Sequence, residues 1–303
     1  MKSVTILQFT DPICVWCWGN DPVMRAIEYL YGEKVKIEYV MGGLVEDITT
    51  LFDLRGEKSD IIRQANEIIL HNWQNAAEKH GMPVVNPFAP FFTERYTSSF
   101  PQNIAYEVAK RLNPRRAPHF LRLMREATFV LGKRTSQIDV LLSLASEAGY
   151  QPAEFIDQYT TGEAYADFQQ ERMFCRRNGV TGFPTYIIRY DDKEVIVGGY
   201  QNLATFHSII SRLTADAVKP RRTGPSKANV VDFVRRFKTL YSVEIEVAFS
   251  LDRYQTDLLI DGLIEEGLLG FDKVGTTRRL YLPRPKTAPP TNSKHHAHRN
   301  AKK

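Results

Sequence analysis

The sequence predicts an α/β fold, with one α/β domain interrupted by a long helical block and followed by a small module of three helices and a hairpin. Three observations carry this. Two β-like runs flanking a helical pattern open the chain. The strand pattern then disappears for more than a hundred residues, and it returns as two adjacent runs and a helix.

The opening runs are VTILQF, 4–9, and KVKIEYVMGG, 34–43, the second clearly alternating. Between them DPVMRAIEYLY places Val23, Met24, Ile27, Leu30 and Tyr31 at helical spacing, with Asp21 and Pro22 as the expected cap and first position. From about 44 to 170 the strand pattern is absent and the segments read as amphipathic helices punctuated by Gly and Pro; Ser136 followed by Asp139 is a further start signal, and the last such segment, PAEFIDQYTTGEAYADFQQERMFCRRNG, reads as one helical run. FPTYIIRY, 183–190, and KEVIVGGY, 193–200, then form a hairpin across Asp191-Asp192, closed by the helix NLATFHSIISRL. The expected division is a core of 1–43 and 167–215 around an insertion of 44–166.

Residues 216–228, DAVKPRRTGPSKA, read as a linker. Residues 229–283 carry three short helical patterns and two β-like runs about Gly275, which describes a winged-helix-like module. The last stretch, 284–303, has almost no apolar side chains and is expected to be a disordered basic tail.

The 303 residues carry a net charge of +5, unevenly spread: residues 1–218 hold 23 basic and 26 acidic side chains, residues 219–303 hold 17 and 9. No stretch approaches the roughly 18 apolar residues of a membrane helix, and no export signal is visible. The expected compartment is therefore the cytoplasm. Structural disulfides are rare there, and a close cysteine pair points to catalysis or metal binding.

Such a pair stands in TDPICVWCWGNDP, 10–22, where Cys14 and Cys17 are two of only three cysteines. Chance alone places one C-x-x-C in about 2% of chains with three cysteines, so the spacing does not decide the matter. A structural zinc site wants four Cys or His ligands, and no His stands near Cys14 or Cys17 in sequence; His80, His119 or His207 could join only through folding. The redox alternative has a mechanism. A cysteine between a strand and a helix sits near unpaired N–H groups and the positive helix end, which favours thiolate. Cys14 would attack a disulfide, and Cys17, one turn later, would resolve the mixed disulfide.

Together, the strand, C-x-x-C, helix and strand followed much later by GVTGFPTYII resemble the thioredoxin superfamily. DPICVWCWG, YVMGGL, HNWQNAAEKHGMP and a downstream GGY are similar, more narrowly, to DsbA-like proteins of the FrnE type, over roughly residues 4–215. The resemblance implies a thioredoxin-like core and a thiol-disulfide oxidoreductase or isomerase with catalytic Cys14 and Cys17. It implies a cis-proline at Pro184, with Phe183 offering backbone hydrogen bonds to an extended substrate, and it calls for no metal or other cofactor. The implied partners are protein thiols or disulfides and a recycling thiol. Some members deliver client proteins to a protease, which makes a non-enzymatic adaptor the alternative; a relative that isomerises a small aromatic acid has serine where this chain has Cys14. Gln8, six residues before Cys14, cannot ionise as an acidic residue there would, and neither Val15 nor Trp16 adds positive charge, so the expected couple is mildly oxidising.

Trp16, Trp18 and Phe183 are candidates for an aromatic lip, with Trp16 the favoured substrate contact. Trp73, His80 and Cys175 read as packing residues. In the module the third helix, DRYQTDLLIDGLIEEG, sets Arg253 against five carboxylates and would repel phosphate. Arg278 and Arg279 could touch a nucleic-acid backbone, but a protein-docking or dimerising role fits better. His295, His296 and His298 form a weak, adventitious metal signal in the tail.

Overall fold

A computed structural model describes residues 2–85 and 90–283. The expected tail, with His295, His296 and His298, lies outside them. Strands β1 (Val4–Thr10) and β2 (Val35–Met41) pair in parallel. β3 (Thr185–Tyr190) runs antiparallel to β1, and β4 (Lys193–Gly198) antiparallel to β3, giving the order β2-β1-β3-β4. This is the expected α/β core with its helical insertion.

Side-chain alternation decides what covers each face. Val4, Ile6, Tyr186 and Ile188 face α1 (Val15–Tyr31) and α9 (Leu203–Thr214), whose Ile27, Phe206 and Ile210 are buried with them. Leu7, Phe9, Val40 and Ile187 face the other way and pack with Cys175 and Phe174 of α8 (Glu163–Arg177). β1 is therefore buried on both faces, which is why it reads as a nearly unbroken apolar run.

The insertion comprises α2 (Ile48–Leu51), α3 (Lys58–His80), α4 (Phe100–Leu112), α5 (Ala117–Phe129), α6 (Ile138–Glu147) and α7 (Pro152–Thr160). Phe120, Met124, Leu144 and Phe155 build a second core there, which Phe168 of α8 joins. The run expected as one helix to residue 179 breaks between α7 and α8 at Gly162, whose φ of 82° belongs to the left-handed region.

Two local readings are corrected. Asp21 and Pro22 do not open α1; it starts at Val15 with Cys14 as N-cap, and Pro22 lies inside it. The cap signal failed because Asp21 has partners a hundred residues away: Arg125 at 2.5 Å and Arg122 at 3.2 Å. α6 takes Gln137 as its N-cap residue, one beyond Ser136, with no side-chain cap.

The C-terminal segment forms α10 (Lys227–Phe237), β5 (Thr239–Tyr241), α11 (Ser242–Phe249), α12 (Arg253–Glu265), β6 (Gly270–Val274) and β7 (Thr277–Tyr281). Its sheet runs β5-β7-β6, all antiparallel. β5 was unexpected, since its residues ended an apparent helix; Lys238, at φ 66°, stops that helix. The segment shares a core with α1, where Tyr29 meets Phe233 with ring centroids 4.8 Å apart and Trp18 meets Tyr241 at 5.9 Å. At the same junction the fully buried Glu244 accepts from Arg25 (3.1 Å), Arg122 (3.0 Å) and the Tyr241 N–H (2.7 Å). Within 216–228, Val218 is buried and the Arg221 N–H donates to the Leu30 carbonyl at 2.8 Å. Among the described residues no helix is long and apolar enough to cross a membrane.

Candidate active site

β1 ends at Thr10, and the chain turns through Asp11, Pro12 and Ile13 before α1. Asp11 holds that turn. Its buried carboxylate accepts from the N–H groups of Ile13 (2.9 Å) and Leu44 (2.7 Å), from Ser99 Oγ (2.9 Å) and from Asn103 Nδ2 (2.8 Å). Burial pushes the Asp11 carboxyl up, and these four donors oppose it. The turn is thereby tied to the loop after β2 and to the start of α4.

Cys14 then occupies the N-cap of α1, and the Cys17 N–H donates to its Sγ at 3.2 Å. Cys14 is 3% exposed, Cys17 is fully buried, and both are free thiols. The helix-end N–H expected to favour thiolate is in place. It is outweighed: burial, then the second thiol, push Cys14 well above the ordinary thiol range, against the Cys17 N–H and the charge of Arg125.

Arg125, 1% exposed, comes from α5 and binds Asp21 and Thr10 Oγ1, each at 2.5 Å, and its charge acts on both cysteines. Behind the pair lie Gln8 and Tyr186, cross-strand partners on the face that α1 covers. Both are fully buried, and neither the Gln8 amide nor the Tyr186 hydroxyl has a hydrogen-bond partner. Burial raises the Tyr186 pKa, and both cysteines lie close enough to raise it further.

The Phe183-Pro184 peptide is cis. Because Thr185 pairs with Phe9, Pro184 falls beside the end of β1 from which the cysteine turn departs. The Phe183 ring lies over Gly42, where an added Cβ would sit 1.9 Å from its Cζ, so only glycine leaves it room. Phe183 is half-buried against the Leu7, Phe9 and Cys175 cluster. Trp18 is fully buried, stacked on Phe129, its Nε1 donating to the Pro83 carbonyl at 2.9 Å, and so belongs to the core. Trp16 is half-buried with its ring 6.1 Å from Tyr200 and 6.0 Å from His80.

His80 is buried against Gly19, and burial lowers its pKa to about 4, so its ring is neutral at physiological pH. Trp73 packs against Phe91 and Phe129. Cys175 is buried, its thiol pushed up to about 12 by burial and Glu171. Asp11, Arg125, Tyr186 and Tyr200 were missed from sequence. Asp11 and Tyr186 stood within the motifs; Arg125 gave no signal, since only the packing of α5 brings it here.

A cysteine pair opening the first helix of this sheet, with a cis-proline at the adjacent strand, defines the class, and the thioredoxin family profile matches residues 7–208. The chain belongs to that family. Its curated relatives include the ClpXP adapter protein SpxH of Halalkalibacterium halodurans, 26% identical over 255 residues, covering 83% of this chain and 79% of the relative. The SpxH of Bacillus subtilis is 23% identical over 253 residues, covering 82% and 79%. Solved structures share the fold, among them a putative protein disulfide isomerase from Nitrosomonas europaea (TM-score 0.59, 18% identity, 71% of this chain and all of that one). The cytosolic disulfide reductase DsbM from Pseudomonas aeruginosa is another (TM-score 0.55, 21% identity, 70% and 100%).

Proposed function

We propose that the chain is a cytoplasmic thiol-disulfide oxidoreductase acting on protein thiols. The observation that carries this is the Cys17 N–H held 3.2 Å from Cys14 Sγ at the N-cap of α1. In the reductive direction the Cys14 thiolate attacks a substrate disulfide, forming a mixed disulfide and releasing one substrate thiolate. Cys17, deprotonated, attacks Cys14 Sγ, the Cys14–substrate bond breaks, and the second substrate thiolate leaves. Two electrons pass to the substrate, the pair becomes a disulfide, and two equivalents of a recycling thiol restore it, themselves becoming a disulfide. Run backwards, the pair oxidises a substrate dithiol.

Substrate would lie along Phe183 and the cis Pro184, with Trp16 and Tyr200 at the side. The raised Cys14 pKa and the non-ionisable Gln8 support a mild couple, since a thiolate that is not strongly stabilised does not drive oxidation. Insulin-type disulfide reduction should be lost in Cys14→Ser; full activity in that variant refutes the proposal.

A second reading has its own support. The alignments to SpxH proteins cover more of the chain than the thioredoxin match, so they reach into the C-terminal segment. That segment, read as winged-helix-like, would then be a docking arm for a client or a protease. Arg278 pairs with Asp257 and Asp261 of α12, and Arg279 with Glu126 at 3.0 Å, so the hairpin arginines are neutralised within the protein. This supports a protein partner or a second copy of the chain over nucleic acid. An adaptor would keep its client when both cysteines are serine.

A further inference from the structure

Between α1, the first turn of α5 and the α10–β5 junction lies a cleft of about 390 Å³. Its inner wall holds Arg25, Arg122 and Arg125, and its rim holds Arg115, Arg116, Arg236 and Lys238. Seven cations thus meet three carboxylates, the lining Asp21 and Glu28 and the Glu244 bound to Arg25 and Arg122, an excess of four. Glu126 nearby is taken by Arg279 and Tyr241.

The excess is not idle surface charge. Arg122 and Arg125 are 5% and 1% exposed, and the Nε–H of each is buried with no hydrogen-bond partner. Buried donors left unpaired are costly, so both guanidiniums stand under-satisfied behind the cleft wall. Arg115 and Lys238 on the rim have no carboxylate partner among the described residues. The α5 N-terminus, with no side-chain cap, adds positive helix-end potential to the same wall. Burial lowers the pKa of the lining His119, and Lys238, Arg25 and Arg122 lower it further.

We propose that this cleft binds a small multivalent oxyanion of the phosphate class, free or as the phosphate end of a larger molecule. Guanidinium forks suit phosphate oxygens, and the volume is that of a small-ligand site. The anion bridges the core, the insertion and the C-terminal segment, so its binding steadies their junction.

Calorimetry at fixed ionic strength tests this on the full chain with inorganic pyrophosphate and ADP. Saturable binding of pyrophosphate is expected, weakened at least tenfold in Arg115→Ala/Lys238→Asn, whose exposed positions leave folding and thiol exchange unchanged. Equal affinity for both probes marks the phosphate group alone as the ligand; tenfold tighter ADP marks a nucleotide, and either supports the site. No saturable binding, undiminished binding in the double variant, or binding of polyglutamate without pyrophosphate overturns it.

Discussion

The N–H of Cys17 points at Cys14 Sγ from 3.2 Å, while both side chains are almost wholly removed from water. One hydrogen bond favours the thiolate there, and burial opposes it more strongly.

The sign of the resulting pH dependence follows. A pKa raised above the ordinary range leaves little thiolate at neutral pH, so alkylation of Cys14 by iodoacetamide should climb about tenfold per pH unit from 6 to 9. A plateau below pH 7 would contradict the environment described for Cys14.

Gly42 gives access to the proline loop without touching a thiol. A Cβ there would meet Phe183 Cζ at 1.9 Å, so Gly42→Ala must move that ring and the Phe183-Pro184 segment with it. The expected loss of stability is about 1–3 kcal/mol, with at least a tenfold loss of protein-disulfide reduction and retained Cys14 alkylation. Unchanged turnover would remove Phe183 and Pro184 from the substrate site.

The C-terminal segment depends on Glu244, which holds Arg25 and Arg122 in a buried network. Glu244→Gln leaves those guanidiniums short of a counter-charge and should cost about 3–5 kcal/mol. Urea unfolding and trypsin cleavage around Lys219, Arg221 and Arg222 measure it; a wild-type midpoint with wild-type protection would show that the segment docks by apolar contacts alone.

Much of this was legible in sequence because it is local. The strand runs, the C-x-x-C turn and the Phe-Pro segment each announce themselves within ten residues. What stayed hidden needs partners distant along the chain. Asp21 looked like a cap until Arg122 and Arg125 claimed it, and Thr239–Tyr241 became a strand only by pairing with β7. The apparent linker gave no hint that Arg221 binds the end of α1, through its N–H to the Leu30 carbonyl and its guanidinium to the Tyr29 carbonyl, because carbonyl acceptors leave no compositional trace. Trp16 and Trp18, two residues apart, have opposite fates for a helical reason: they lie about 200° apart around α1, one toward the core and one toward Tyr200.

Exchange of Cys14 with protein thiols can be trapped directly. Cys17→Ala removes the resolving sulfur and should trap proteins on Cys14 as mixed disulfides, released by dithiothreitol and absent from the Cys14→Ser/Cys17→Ala variant. If Cys17→Ala captures nothing while the double serine variant still holds a client, the thiol-exchange account fails and the adaptor reading stands in its place.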